Sequence, residues 1–389
     1  MTDISANRNG DLWIKAAAIG SIWASFEIVV GTFLHTLRIP FAGTFLTFFS
    51  VALLTAFARR YPQRGLFWRS ALVAALLRSV MPGAVIFGPL IAIVLEGLIF
   101  EAAVRLLGFR LPAYVAAGIA AMFSAIVHKV VSILILYGGD VVYMAKQLYF
   151  IFRKTTGIDA PPRQLAWILA AVYVAAGTGA ALLGMYAGKK EKDSKAGTPE
   201  VKWENDLKKT FALPENFRFH RREIWVHVIL LAVFLVAMES MPFGRIWPAL
   251  AAYETYLLWR YGKGMRRLAK PVFWFQLLVV LLLAVWLWDD KWTGFVTGLK
   301  MMMRALLLVT VFTAIGMELR NPLVYELIVR KGWTPLYRAV QTSVQILPAL
   351  VAYLGRSGRY WIQPVRLMRR ILQASEAVIC QVEKHYEES

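Results

Sequence analysis

Ten largely apolar stretches, most close to the ~20 residues a helix needs to cross a bilayer core, leave this chain few possible folds. Six lie at about 13–37, 41–58, 66–81, 85–107, 112–138 and 164–187. Four more follow at about 224–240, 246–261, 272–288 and 296–317. A transmembrane barrel would show short alternating segments, whereas these runs are continuous. Hydrophobic residues make up 58% of the 389 residues and charged residues only 17%, too few to cover a soluble protein of this size. The fold class read from this pattern is an all-α integral membrane protein.

The spacing of the stretches divides the chain. Residues 1–187 read as a six-helix membrane domain, 188–222 as a polar, Gly- and Pro-containing linker, and 223–389 as a four-helix membrane domain with an amphipathic tail. One short surface helix is expected within the linker, around Trp203–Lys209. From about 322 to 389 apolar and basic residues alternate at helical spacing with no clean span. In that tail the apolar face of Gln341–Arg370 is expected to lie against the helices of the second half.

The net charge is +20, and most Lys and Arg lie between the apolar stretches. Ala58–Arg69, Arg105–Arg110, the linker and Arg260–Lys270 fall on one side if the first helix runs from inside to outside. The positive-inside rule then gives a multi-pass protein of the cytoplasmic (inner) membrane with both termini cytoplasmic, and nucleic acid is not needed to explain the charge. Gly138–Arg163 lies outside in this scheme, and its length and aromatic content suit a lid that folds back. The N-terminus, "MTDISANRNGD", does not read as a signal peptide. Cys380 is the single cysteine, and the five histidines are scattered, so no metal site is expected. No GxxxxGK[ST], HExxH or GxSxG motif occurs, so the chain reads as neither a nucleotide-binding protein nor an enzyme.

Ionisable residues at bilayer depth point to function, because each costs about 2.5–3.5 kcal/mol to insert at a helix centre. Glu96, mid-helix beside Pro89, Ala92, Phe100 and Ala103, fits a pocket carboxylate or an ion pair with Arg78 or Lys129. His128 shares a small, polar stripe with Ala121, Ser124, Ala125 and Ser132, which fits ligand binding or an interhelical hydrogen bond. Glu27 shares a face with Ala16, Gly20, Ala24 and Gly31 and fits either a pocket or an interface with the second half. Arg38 and Arg78, at outer helix ends, fit an anionic ligand group or lipid headgroups. Trp23 and Tyr137 fit stacking on a planar ring or ordinary packing. Glu101 and Arg105, four apart, read as a surface pair. Arg304 and Glu318, at the two ends of one helix, and Glu239 and Glu254, near outer helix ends with Arg245 between them, read as structural pairs.

The order of parts resembles two membrane subunits of energy-coupling factor (ECF) vitamin transporters joined in one chain. Ser79–Gly108 resembles the Pro/Gly loop and carboxylate-bearing helix of a substrate-binding S component. Gly298–Leu354 resembles a T component, the transmembrane coupling subunit: Arg304 within a helix, the Asn321–Pro322 break, the Gly332–Pro335 turn, and Ser343 followed by Pro348. The resemblance implies an importer of a vitamin or other small nutrient, with Glu96, His128, Arg78, Arg38, Trp23 and Glu27 as substrate-binding residues. It implies that Ala16, Gly20 and Ala24 form the docking face between the S-like and T-like parts. It further implies a cytoplasmic pair of ABC ATPases as partners, which would carry the ATP and Mg; no cofactor is expected on this chain. T components carry two Ala-Arg-Gly motifs for that contact. This chain has none; Arg356 and Arg359 in "LGRSGRYW" and Lys384 near the C-terminus stand in those regions. A membrane binding or assembly protein that reuses this architecture without ATP drive is the alternative. Cobalt and nickel S components begin Met-His, and this chain begins Met-Thr, so a metal substrate is not expected.

Overall fold

A computed structural model describes residues 2–36, 41–80, 87–157, 161–189, 221–262, 265, 268–318, 334–355 and 363–388. Among these residues the chain forms helices and no strand. In order they are α1 (Thr2–Thr36), α2 (Ala42–Arg60), α3 (Leu66–Val80), α4 (Phe87–Leu107), α5 (Leu111–Tyr137), α6 (Asp140–Thr156) and α7 (Pro162–Ala187). After the linker come α8 (Arg221–Ser240), α9 (Phe243–Tyr261), α10 (Pro271–Leu287), α11 (Lys291–Glu318), α12 (Thr334–Gly355) and α13 (Pro364–Glu388). The surface helix expected near Trp203–Lys209 lies outside the described residues.

Among the described residues, six helical segments are long and apolar enough to cross a membrane: Gly10–Gly31, Ala42–Arg60, Leu111–Tyr137, Pro162–Ala187, Arg222–Ser240 and Lys291–Glu318. Pro271–Leu287 is equally apolar but shorter. Of the other expected spans, α3 is only 15 residues long. α4 carries Glu96, Glu101 and Arg105 within one helix, and α9 carries Arg245, Glu254 and Arg260. These three pack within helical bundles, α3 and α4 in one core and α9 in the other.

Local chemistry explains the helix ends. Proline in the first turn of α5, α7 and α10 presets φ where no backbone donor is needed. Gly138 and Gly157 stop α5 and α6 at φ 81° and 67°, a region that penalises a side chain. The N-terminus of α3 is capped from a distance. Glu101 on α4 accepts the Gly65 amide at 2.5 Å and the Phe67 amide at 3.2 Å, and also holds Arg105 at 2.7 Å. Glu101 is therefore more than one end of a surface pair: it is buried and ties α3 to α4. At the start of α11, Asp290 accepts the Thr293 hydroxyl and then the Thr293 and Trp292 amides, and these bonds, the hydroxyl's foremost, hold its carboxyl below the ordinary value.

Gly138–Arg163, expected as a lid, contains α6. Its Met144 is buried against Ala284, Leu287 and Met301, and Tyr143 meets Trp288 at 4.5 Å between ring centroids. The segment docks on α10 and α11 of the second half.

Two main cores result. One gathers α8, α9 and α11 around Leu250, Leu257, Leu307 and Val311. The other gathers α1–α5 and α7, and it also takes in α12 and α13. This corrects the expectation for Gln341–Arg370. Its apolar face lies on α1 and α3, where the Ser343 hydroxyl reaches the Ala17 carbonyl at 3.2 Å. Helical periodicity defines an apolar face but not its partner, and the small residues of α1 offer the closer approach.

The same helix corrects one assignment in the docking stripe. Gly20 faces α3 within the first half, because a Cβ there would lie 2.7 Å from the Ser70 carbonyl and 2.8 Å from Val73. Ala16 and Ala24 are fully buried in the same core. Gly20→Leu is expected to destabilise the protein by about 2–3 kcal/mol through overpacking against backbone. Gly10→Ala, which meets open space, is the control. Thermal unfolding in detergent measures the difference.

Candidate functional site

The first half buries two carboxylates side by side within its helices. Glu27 projects from α1 and Glu96 from α4, each about 5% exposed. Between them α2 supplies two hydroxyls, three residues apart and so on one face. Thr47 Oγ1 donates to Glu96 Oε1 at 2.7 Å. Ser50 Oγ donates to Glu27 Oε1 at 3.1 Å and accepts the Trp23 indole N–H at 2.9 Å. The hydroxyls thus hold one oxygen of each carboxyl. Glu96 Oε2 is buried with no hydrogen-bond partner.

Positive charge in the group is scarce. Arg78 on α3, half-buried, reaches the main-chain carbonyl of Glu27 at 3.4 Å, and no ion pair within 4.0 Å joins it to either carboxylate. It leans on α1, with its Nη2 3.6 Å from where a Gly31 Cβ would be. Lys129 stands over the Phe41 ring at 4.7 Å and forms no ion pair with Glu96. Two buried carboxylates therefore face a single guanidinium, an arrangement short of one positive charge or of strong donors.

Four of the six expected binding residues come together here: Trp23, Glu27, Arg78 and Glu96. His128 does not join them. It is half-buried on α5 and has no hydrogen bond or ion pair among the described residues. Tyr137 packs in the core around α6 and α10 instead. Arg38, Arg356 and Arg359 lie outside the described residues, and Lys384 is exposed on α13.

Several residues escaped the sequence reading. Thr47 and Ser50 gave no signal because hydroxyl residues are common in membrane helices. In the second half His227 is fully buried between two tyrosines, with Tyr253 at 2.8 Å on Nδ1 and Tyr261 at 2.9 Å on Nε2. Tyr261 donates onward to Glu318 at 2.9 Å. With that proton committed, the Tyr261 oxygen accepts from Nε2–H, and from Arg260 Nε at 3.3 Å, so Nδ1 accepts from Tyr253. This saturated chain ties α8, α9 and α11 together. Arg304 pairs with Glu239 and holds the Ile135 carbonyl at 2.9 Å, which joins α11 and α8 to α5. The members of the expected pairs are thus Glu239 with Arg304, and Glu318 with Tyr261 and Arg260.

No family model, curated protein or solved structure matches this chain.

Proposed function

We propose that the chain is the membrane part of an importer of the energy-coupling factor type. In this reading the first half binds a small, positively charged nutrient at Glu27 and Glu96, and the second half links it to separate cytoplasmic ATPases. The observation that carries the reading is the unpartnered Glu96 Oε2 beside a second buried carboxylate. A buried acceptor without a donor is expensive unless something fills it, and intramembrane carboxylates of this kind serve ligands or ions. A ligand ammonium or amidinium would supply both the missing charge and the missing donors. Trp23 would then act by fixing Ser50, since its indole N–H is committed there. The basic loops would face the cytoplasm of a multi-pass inner-membrane protein.

Native mass spectrometry of the protein purified from its own host tests the binding step. A retained small cation is expected; retention of an anion or of nothing counts against it. The coupling step is tested by co-purification. An ABC ATPase pair should accompany the wild type and be lost when Arg356, Arg359 and Lys384 are together changed to Glu.

A second reading keeps the binding site and drops the ATP drive. It is favoured by the absence of any Ala-Arg-Gly motif and by the burial of the apolar faces of α12 and α13 on the first half. Clean purification without an ATPase from the native host would select it.

A further inference from the structure

A second buried carboxylate site lies in the other half, and it is separate from the ligand group of the first. Glu254 on α9 is 6% exposed and faces Thr310 on α11, which is fully buried. Thr310 Oγ1 stands 3.1 Å from Glu254 Oε1. That hydroxyl has one proton, and it also lies 2.9 Å from the Leu307 carbonyl and 3.1 Å from the Leu306 carbonyl. Glu254 Oε2 is buried and has no hydrogen-bond partner.

The surroundings offer no compensating charge. No Lys, Arg or His among the described residues lies within ion-pair distance of Glu254. On α8, His227 is committed to Tyr253 and Tyr261. On α9, Tyr253 serves His227, and Tyr256 donates to Glu223. Arg260 lies with Glu223 and Glu318 at the far end of α9. On α11, Arg304 is turned to Glu239 and Ile135. Thr310 belongs to a membrane-length apolar segment, Lys291–Glu318, which sets the depth of Glu254 as well.

We propose that Glu254 and Thr310 hold a monovalent cation, a proton or a sodium ion, between α9 and α11. The oxygens gathered here are hard acceptors: a carboxylate, a hydroxyl and the carbonyls beside it. A single carboxylate balances one positive charge, so a divalent ion would leave a buried excess. No group of three metal-ligating side chains occurs among the described residues. The site makes the second half responsive to sodium or to pH, whatever the first half binds.

The test uses the full chain in detergent. Thermal unfolding is compared in sodium chloride and in choline chloride at equal ionic strength, with infrared difference spectra at neutral pH. A sodium site predicts a midpoint about 3 °C higher in sodium, abolished by Glu254→Gln. A proton site predicts equal midpoints and a protonated-carboxyl band that Glu254→Gln removes. The proposal is overturned by a sodium response that survives Glu254→Gln, or by no sodium response together with no lost carboxyl band. Should Glu254→Gln not fold, Thr310→Val replaces it and must weaken the sodium response or shift the band; no change in either overturns the proposal. Ligand retention by the first half is unaffected under every arm, so failure here leaves the proposed function standing.

Discussion

Glu96→Gln is expected to weaken cation binding about 100-fold while leaving the empty protein as stable as the wild type or more so. The substitution preserves shape. Thr47 can still donate to the amide oxygen, as it does now to Oε1 at 2.7 Å. What disappears is a negative charge that no cation in the protein contacts at ion-pair distance. Losing one member of a buried charged contact costs roughly 3 kcal/mol of binding, and each 1.4 kcal/mol is a factor of ten. In the empty protein the same substitution keeps the Thr47 bond and removes a carboxyl that is costly to bury, so stability holds or rises. Affinity and stability thus move in opposite directions, which separates a binding role from a structural one. Equilibrium binding of the ligand identified by mass spectrometry, beside thermal unfolding without it, reads both. Unchanged affinity would remove Glu96 from the site.

Much of this arrangement is legible in the sequence, and the gaps have physical causes. Apolar length alone places most helices to within a few residues, because crossing a bilayer fixes how long a segment must be. α6 was hidden because Lys146, Arg153 and Lys154, all on its exposed side, leave no continuous apolar run of membrane length. Helical arithmetic set Glu27 on the face of Gly20 and Gly31, and that face is the one turned to α3 and Arg78. The arithmetic could not say whether that face met the first half or the second. Glu254 reads as one member of a structural pair near an outer helix end, with Arg245 as the nearby cation. α9 in fact begins at Phe243, which puts Glu254 opposite Thr310. The cost of burying each carboxylate was readable from residue type. The hydroxyls that share that cost come from other helices, and periodicity within one helix does not reveal them.

The largest structural effect is expected from Val378→Asp in α13. Val378 is fully buried, as are Met368 and Val382 and, nearly so, Ile371. Together with Leu367 and Leu372 they form the apolar face that joins the core of the first half. Each such side chain contributes about 1.5–3 kcal/mol when buried, an upper bound before ordering entropy. The polar contacts at the rim are weaker. Arg60 pairs with Glu376 at 2.5 Å, and Arg369 stands over Tyr186 at 5.3 Å. The Glu376 side chain is 39% exposed, so that pair contributes at most ~1 kcal/mol. A carboxylate at position 378 would have to be desolvated without a partner, at a cost of several kcal/mol. The inexpensive escape is for α13 to leave the bundle while the remaining helices stay folded. Hydrogen exchange across 364–388 should then rise by about 100-fold or more, whereas Glu376→Gln should change it by less than about tenfold. Equal protection in Val378→Asp and wild type would mean that α13 is not held by this face. If the helix does leave, the fate of any co-purifying ATPase shows which part of the tail it contacts. An ATPase that stays bound to the detached helix favours coupling through α13, and an ATPase lost with it favours coupling through the docked arrangement of α12 and α13 on α1.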